Sequence, residues 1–534
     1  MIIKKYYLRI ILLLILILSG IIAGYSLSRY NGYISNNSVE IDKSLQNKRQ
    51  NVNEIKNNYS VRKKDKGVQE KNEINQKKDN LRNLNVNPIP RDSHKYAIQI
   101  VIYFFIFIFI FMLFYYLINN KGYKIHTKNI SFIVFILLGI GFLLRLASVT
   151  LMEGFTYDIV CFKKWASVLS GGFTDVYKMK IPSDYPPLYM YILLIIGKIA
   201  SFDNIGHYYV VLLKLPSIIA DVATACIVFR VAKKYITIEM SILLSIFYVF
   251  NPAVFINSTL WGQVDSFFTL IIVLALFKLT ENKIVFSSIL FSIAVLMKPQ
   301  GIIFLPILFF ELFRKRNLKD IIKSALSCIC TAIIIVLPFA LKLGPLWIFR
   351  LYLNTMGEYK FATLNAFNLF QLLGANFQDD SETLFIFSYY NWGMISICLI
   401  TLFSWLIYIK SQNSSYIFIT ALLLFAGVFT FSSRMHERYI FTSVALAILS
   451  YIYIRDNRLL VCAFFFSITS YVNTHIILYE NSKVINSVEI ATIVTMIIST
   501  INIFLFGYII KILYDNIVKK KMVQINFVTN FKIH

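Results

Sequence analysis

The sequence predicts an all-α polytopic membrane protein, on three grounds: an apolar composition, a scarcity of charge, and long apolar runs that recur from end to end. Of 534 residues, 57% are hydrophobic and 15% are charged, where a water-soluble domain keeps about a quarter of its residues charged. Mean hydropathy is +0.65. Runs such as Ile10–Leu18, Ile98–Phe114 and Ala325–Leu337 punctuate the whole chain. A helix crosses the hydrocarbon with about 20 mostly apolar residues, and by that criterion the chain holds material for about 14 crossings, joined by large outer loops.

The net charge is +25, from 53 Lys and Arg against 28 Asp and Glu. These cations lie in loops between apolar runs, so cytoplasmic retention and contact with anionic membrane lipids account for them without nucleic acid. Of the six cysteines (Cys161, Cys226, Cys328, Cys330, Cys398 and Cys462), five fall inside apolar runs, where a thiol behaves as a small hydrophobe. Cys328 and Cys330 have no second Cys or His pair nearby, so no zinc cage and no disulfide framework is indicated.

Residues 1–27 have a basic start (Lys4, Lys5, Arg9) and then an apolar run, which reads as a signal anchor or a signal peptide. Residues 28–96 are rich in Lys, Asn, Gln and Asp, too polar to bury a core, and read as a disordered extracytoplasmic linker. An extra span falls in 97–124, a core of spans in 125–515, and a basic cytoplasmic tail in 516–534. Strongly basic short loops at Arg230–Lys234, Arg314–Lys319, Arg455–Arg458 and Lys519–Lys521, together with Lys121, Lys124 and Lys128, are assigned to the cytoplasm by the positive-inside rule. Residues 151–186, the Trp261–Asp265 turn, the loop 342–383 and the Arg434–Arg438 cluster then face outward. The run Leu188–Ala200 is short for a crossing and is expected to be re-entrant or interfacial. No internal repeat is evident, so inverted-repeat transporter logic finds no footing.

Polar groups are costly near hydrocarbon and default to functional candidates. Five sets fall on the expected outer side. Asp158 and Trp165 lie just beyond the span 130–150; alone, Asp158 reads first as a solvated loop acid or a helix N-cap, and only with its context as a general base. Asp184 and Tyr185 precede Pro186-Pro187, which ends one backbone regime and starts a helix. Trp261, Gln263 and Asp265 pack between two spans; Trp261 reads as an interfacial belt residue or, with its neighbours, as a sugar contact. Lys298 and Gln300 interrupt an apolar hairpin, as a positive anchor or a donor contact. Arg434, His436, Glu437 and Arg438 make a candidate phosphate clamp, because guanidinium forks bind phosphate oxygens bidentately; snorkelling interfacial charge is the plainer account. The histidines show no metal-site spacing, and no Walker A, Rossmann or Gly-x-Ser-x-Gly pattern occurs, so no metal and no nucleotide cofactor are expected.

Taken together the five sets resemble the GT-C superfamily of polytopic glycosyltransferases that use polyprenyl-phosphate sugars. The likeness is greatest to bacterial proteins related to the eukaryotic transferase that adds the second mannose of the GPI anchor. Those families carry Asp in the first outer loop with Trp seven residues on, as Asp158 and Trp165 stand here. Their Asp-Tyr-Pro-Pro-Leu matches Asp184 to Leu188, and their His-Glu-Lys/Arg matches His436 to Arg438. The Trp-Gly-Gln-Val-Asp turn, the Lys-Pro-Gln turn and Asn365 to Asn368 look like the bacterial group. The resemblance implies a GT-C-like bundle in the cell membrane with its active site facing outside. It implies inverting transfer of a hexose, mannose favoured, from a polyprenyl-phosphate sugar to a hydroxyl of a glycan, glycolipid or protein. In that scheme Asp158 is the base, and Arg434, His436, Arg438 and Lys298 hold the donor phosphate. Trp165, Asp184, Tyr185, Trp261, Gln263, Asp265, Gln300, Asn365, Asn368 and Glu437 contact sugar or acceptor. A lipid-linked-glycan flippase or another polytopic transporter is the alternative; it needs no base in the first outer loop.

Overall fold

The computed structural model describes residues 2–30, 96–125, 129–179, 183–479 and 488–520. Most of the expected linker and most of the basic tail lie outside the described residues. Helix α1 (Ile2–Ser28) packs along α3 (Ile130–Ser148), and α2 (Ala97–Asn119) packs on residues 238–255. Next come α4 (Thr156–Gly171), α5 (Pro187–Ala200), α6 (Tyr209–Ala232) and α7 (Ile238–Val249). The helices α8 (Asp265–Thr280), α9 (Ile284–Met297), α10 (Leu305–Lys315), α11 (Leu318–Leu343) and α12 (Trp347–Met356) follow. The chain closes with α13 (Tyr389–Ser411), α14 (Ile417–Phe431), α15 (Ser443–Ile454), α16 (Arg458–Tyr479) and α17 (Val488–Leu513). Among the described residues the only paired strands are a small antiparallel hairpin, with Thr383 opposite Ser388 and Leu384 opposite Phe387.

Among the described residues ten helical stretches are long and apolar enough to cross a membrane. Broad apolar faces of α1, α2, α11 and α13 stay exposed, as lipid-facing surfaces do: Phe105, Ile334 and Leu399 are examples. The chain is therefore an all-α, multi-pass membrane protein. Helix α5 has 14 residues, so at 1.5 Å per residue it spans about 21 Å, short of the roughly 30 Å hydrocarbon core. Pro187 opens it at a position where the missing N–H costs nothing, and it packs on α4 and against α6, α9 and α11.

The connections sort into two ends of the bundle. At one, Ile125 N–H donates to Glu239 Oε1 (3.0 Å), Tyr235 packs on Tyr453, and Thr280 bonds the Tyr453 hydroxyl (3.0 Å). Phe418 stacks on the same Tyr453, Arg314 Nη1 donates to Gln412 O (3.2 Å), and Arg458 Nη1 to Asp515 (2.6 Å). All the strongly basic loops in the described residues meet there. At the other end, contacts join Asp158, Tyr185, the turn 261–265, Lys298, Met356, Asp380 and the segment 432–438. The two ends alternate along the chain from α3 to α16.

One irregular element shapes the second end. After α7, Asn251 caps a new turn by accepting from Ala253 N–H (2.9 Å), and Pro252 starts it. Residues Ile256–Trp261 then form a π-helix, a rare element that recurs at functional sites. It ends at Gly262, φ +87°, where a Cβ would meet Ile159 Cδ1 at 2.8 Å. Glycine is needed for both reasons.

Deep in the bundle Arg145 of α3 pairs with Asp221 of α6 at 3.2 Å, both essentially without solvent exposure. A buried pair of this kind is costly to break, at about 3–5 kcal/mol for loss of one partner.

Candidate active site

Asp158 lies in the first turn of α4, its side chain 15% exposed. Its Oδ2 accepts from the indole Nε1–H of Trp261 at 2.7 Å and from the Nε2–H of Gln263. Arg438 Nη1 stands 3.6 Å from the same oxygen. Oδ1 takes no hydrogen bond among the described residues. One oxygen is thus immobilised and the other is left open beside solvent. Hydrogen bonds to a charged group contribute about 1.5–3 kcal/mol each, enough to hold the carboxylate in one orientation.

The donors are themselves held. Trp261 is wholly buried at the end of the π-helix and stacks on Phe155, with ring centroids 4.6 Å apart. The Phe155 N–H donates to Trp261 O at 2.9 Å. Gln263 is wholly buried, and its Oε1 accepts from the Tyr185 hydroxyl at 3.4 Å and from Val264 N–H at 3.3 Å. Those two donors set the amide so that Nε2 faces Asp158. Burial, reinforced by the Asp158 carboxylate, holds the Tyr185 phenol well above its ordinary value, so it remains a donor.

A second layer of charge lies beside this carboxylate. Asp265, at the start of α8, pairs with Lys298 through Oδ1 and accepts from Asn257 Nδ2 (3.1 Å) through Oδ2. Arg438 Nε lies 3.8 Å from Asp265 Oδ2, and Arg438 Nη1 binds Glu437. The Arg438 guanidinium covers the Trp261 ring at 4.7 Å. A single guanidinium therefore serves three carboxylates: those of Asp158, Asp265 and Glu437. Only Nη1 makes a hydrogen bond; the buried Nε makes none but stands 3.8 Å from Asp265 Oδ2, so the Nε–Nη2 edge holds an ion pair and no hydrogen bond. That edge is the fork that grips a phosphate or carboxylate side-on. Arg438 lines a small cleft together with Asp265, Lys298, Gln300, Phe425, Tyr439 and Thr442. The buried Gln300 Oε1 is unpartnered there.

The remaining candidates go elsewhere. Trp165 is buried and packs its ring against Phe162 and Tyr185, at 5.7 and 5.6 Å. Asp184 contributes its carbonyl to Thr355 Oγ1–H at 3.0 Å, joining this corner to α12. Arg434 turns away from Arg438. Its guanidinium binds Asp380 and Met356 O and lies over the Tyr390 ring, strapping the loop 357–388 to the segment 432–438. His436 packs edge-on to Tyr359, and its backbone bridges Leu364 and Asn365. Burial, helped by Arg438 and Lys298, pushes its imidazole down to about 3, so it is neutral at physiological pH. Asn365 exchanges hydrogen bonds with Asn376 and gives its carbonyl to Asn473 Nδ2 (2.7 Å). Asn368 caps a short turn by accepting from Gln371 N–H (3.1 Å) and donates to Phe429 O and Ser432 O. Both asparagines fold the loop 357–388 onto the bundle.

Among the described residues no group of three or more His, Cys, Asp or Glu side chains is placed to hold a metal ion. Lys214, Arg145 and Asp221 are not among the candidates the sequence offered; the signal for each was a lone charge inside a long apolar run. No protein-family model matches the chain, and no curated protein matches it.

Proposed function

We propose that the chain is a membrane glycosyltransferase of GT-C type. It moves a hexose, mannose favoured, from a polyprenyl-phosphate sugar to an acceptor hydroxyl. The observation that carries this reading is the Asp158 carboxylate. Two neutral N–H donors anchor its Oδ2, its Oδ1 is open, and the Arg438 guanidinium stands 3.6 Å from the anchored oxygen, with Lys298 one step further off, paired to Asp265.

In the reaction, Asp158 Oδ1 takes the proton of the acceptor hydroxyl as that oxygen bonds to the anomeric carbon. The bond from the anomeric carbon to the phosphate oxygen breaks on the opposite side, so configuration inverts. The polyprenyl phosphate leaves with the electron pair. Arg438, through Nε and Nη2, and Lys298 supply positive charge where negative charge grows. Binding and orientation of the two reactants provide the rest. Tyr185 and Gln263 keep the base in place, and Trp165 supports Tyr185 from behind.

The topology we propose has about fourteen crossings. To the ten long apolar stretches it adds α8, α9, the stretch from Pro299 through α10, and α15; α9 and α15 are no longer than α5, but each of the four joins loops at opposite ends of the bundle. The basic end is cytoplasmic by the positive-inside rule, so the site faces outside the cell membrane. Lipid at that face presents the donor phosphate at the boundary between hydrocarbon and water, where screening is weak.

The test is reconstitution of the full chain with polyprenyl-phosphate mannose and an alkyl mannoside as acceptor probe. The reading expects free polyprenyl phosphate released in step with glycoside formation. Movement of the intact lipid-linked sugar across the bilayer without release would identify a flippase.

A further inference from the structure

Lys214 of α6 lies wholly buried among membrane helices. Its ammonium donates to the carbonyls of Met152 at 2.7 Å, Leu260 at 3.4 Å and Val149 at 3.5 Å. Among the described residues it forms no ion pair; Glu153 of the adjoining loop faces Lys163 instead, at 3.8 Å. A buried ammonium without a carboxylate is expensive, so its position needs a reason.

The carbonyls supply one. Val149 caps the C-terminus of α3, and Leu260 sits in the last turn of the π-helix Ile256–Trp261. Carbonyls at a helix C-terminus have no partner within the helix, and the macrodipole makes that end negative. One ammonium therefore joins the negative ends of two helices. One turn further along α6, Ser217 Oγ–H donates to Gln263 O at 2.7 Å. Residues 214 and 217 share a helix face and together hold the turn 260–263.

Both joined ends lead into the site. From α3 the chain runs through Met152 and Phe155 directly into α4 and Asp158. From the π-helix it runs into Trp261 and Gln263, whose N–H groups bind Asp158 Oδ2. Gly154, φ +123°, lets the two segments touch: a Cβ there would stand 2.5 Å from Trp261 O.

We propose that Lys214 is a positioning residue for the glycosyl transfer proposed above: it fixes the base-bearing helix relative to the two N–H donors that orient the base. It touches neither reactant and acts through Trp261 and Gln263. The inference rests on that functional reading.

A double-mutant cycle tests it in the full-length protein with polyprenyl-phosphate mannose and the alkyl mannoside. Lys214→Met should lower kcat by about tenfold to a hundredfold, as a displaced catalytic group does, with both KM values nearly unchanged. In a Trp261→Phe background, where one donor is already lost, the same substitution should cost much less. Ser217→Ala, a milder loosening of the same turn, should lower kcat in the same pattern and serves if Lys214→Met does not fold. An equal kcat loss in both backgrounds, a loss carried by KM, or unchanged kcat in both the Lys214 and Ser217 variants overturns the assignment. Failure of the underlying reading shows separately, as absence of product from the wild-type protein.

Discussion

Trp261 Nε1–H donates to Asp158 Oδ2 at 2.7 Å, joining two residues 103 positions apart in the chain. The contact ties the first helix beyond α3 to the end of a π-helix and fixes the orientation of a carboxylate in that helix's first turn. Trp261→Phe removes the donor while keeping the ring that stacks on Phe155 and lies under Arg438. It should lower kcat by about tenfold to a hundredfold, the equivalent of about 1.5–3 kcal/mol for a hydrogen bond to a charged group. Steady-state kinetics on protein of unchanged melting temperature checks this; a normal kcat would mean that the contact is structural.

Arg438 and Arg434 should behave differently. Arg438→Ala removes the fork beside the base and should raise the donor KM, lower kcat, or both. Arg438→Lys should restore only part, because a point charge lacks the planar fork. Arg434→Ala breaks the strap to Asp380 and Met356 and should instead free the loop 357–388, read as faster proteolysis there. Equal donor defects in the two Ala variants would return Arg434 to the phosphate site.

The Arg145–Asp221 pair makes a prediction about stability alone. Arg145→Leu leaves a buried carboxylate without its cation and should destabilise the protein by about 3–5 kcal/mol. Adding Asp221→Leu should recover much of that loss, since both charges are then gone. Thermal melts in detergent measure each step. A double variant no more stable than Arg145→Leu would show that the pair contributes through more than mutual neutralisation.

Much of the fold was legible because apolar length and loop charge are set by the bilayer, residue by residue. The clustering of Asp158, Tyr185, Trp261, Gln263, Asp265, Lys298 and Arg438 at one end was foreshadowed by polar residues at the tips of apolar runs. The division of labour among them was not. Trp165 carries the same side chain whether it stacks on a sugar or on Tyr185, and only packing decides. Asn365 and Asn368 look like ligand contacts in sequence, yet a loop folded over a bundle needs amides to satisfy its own backbone. Arg434 and Arg438 are four residues apart in an irregular segment, so no helical periodicity aligns them. Lys214, Arg145 and Asp221 were lost among apolar neighbours, although a lone charge in such a run was itself the clue.

Sidedness has its own test. A cysteine introduced at Gly357 in a background without native cysteines should react with a membrane-impermeant thiol reagent in intact cells. One at Lys315 should be protected until the membrane is opened. The reverse pattern would place the Asp158 site in the cytoplasm and contradict the proposed topology.

The central claim is that Asp158 is the base of a glycosyl transfer, and one substitution addresses it most directly. Asp158→Asn keeps the size of the side chain and an oxygen to accept from Trp261 and Gln263, but removes the basic carboxylate. The measurement is the rate of polyprenyl phosphate release from polyprenyl-phosphate mannose, with the alkyl mannoside present, by purified wild-type and Asn proteins of matched melting temperature. The account predicts release coupled to product in the wild type and a fall of about a hundredfold or more in the variant. Release at a near-normal rate by Asp158→Asn would contradict it.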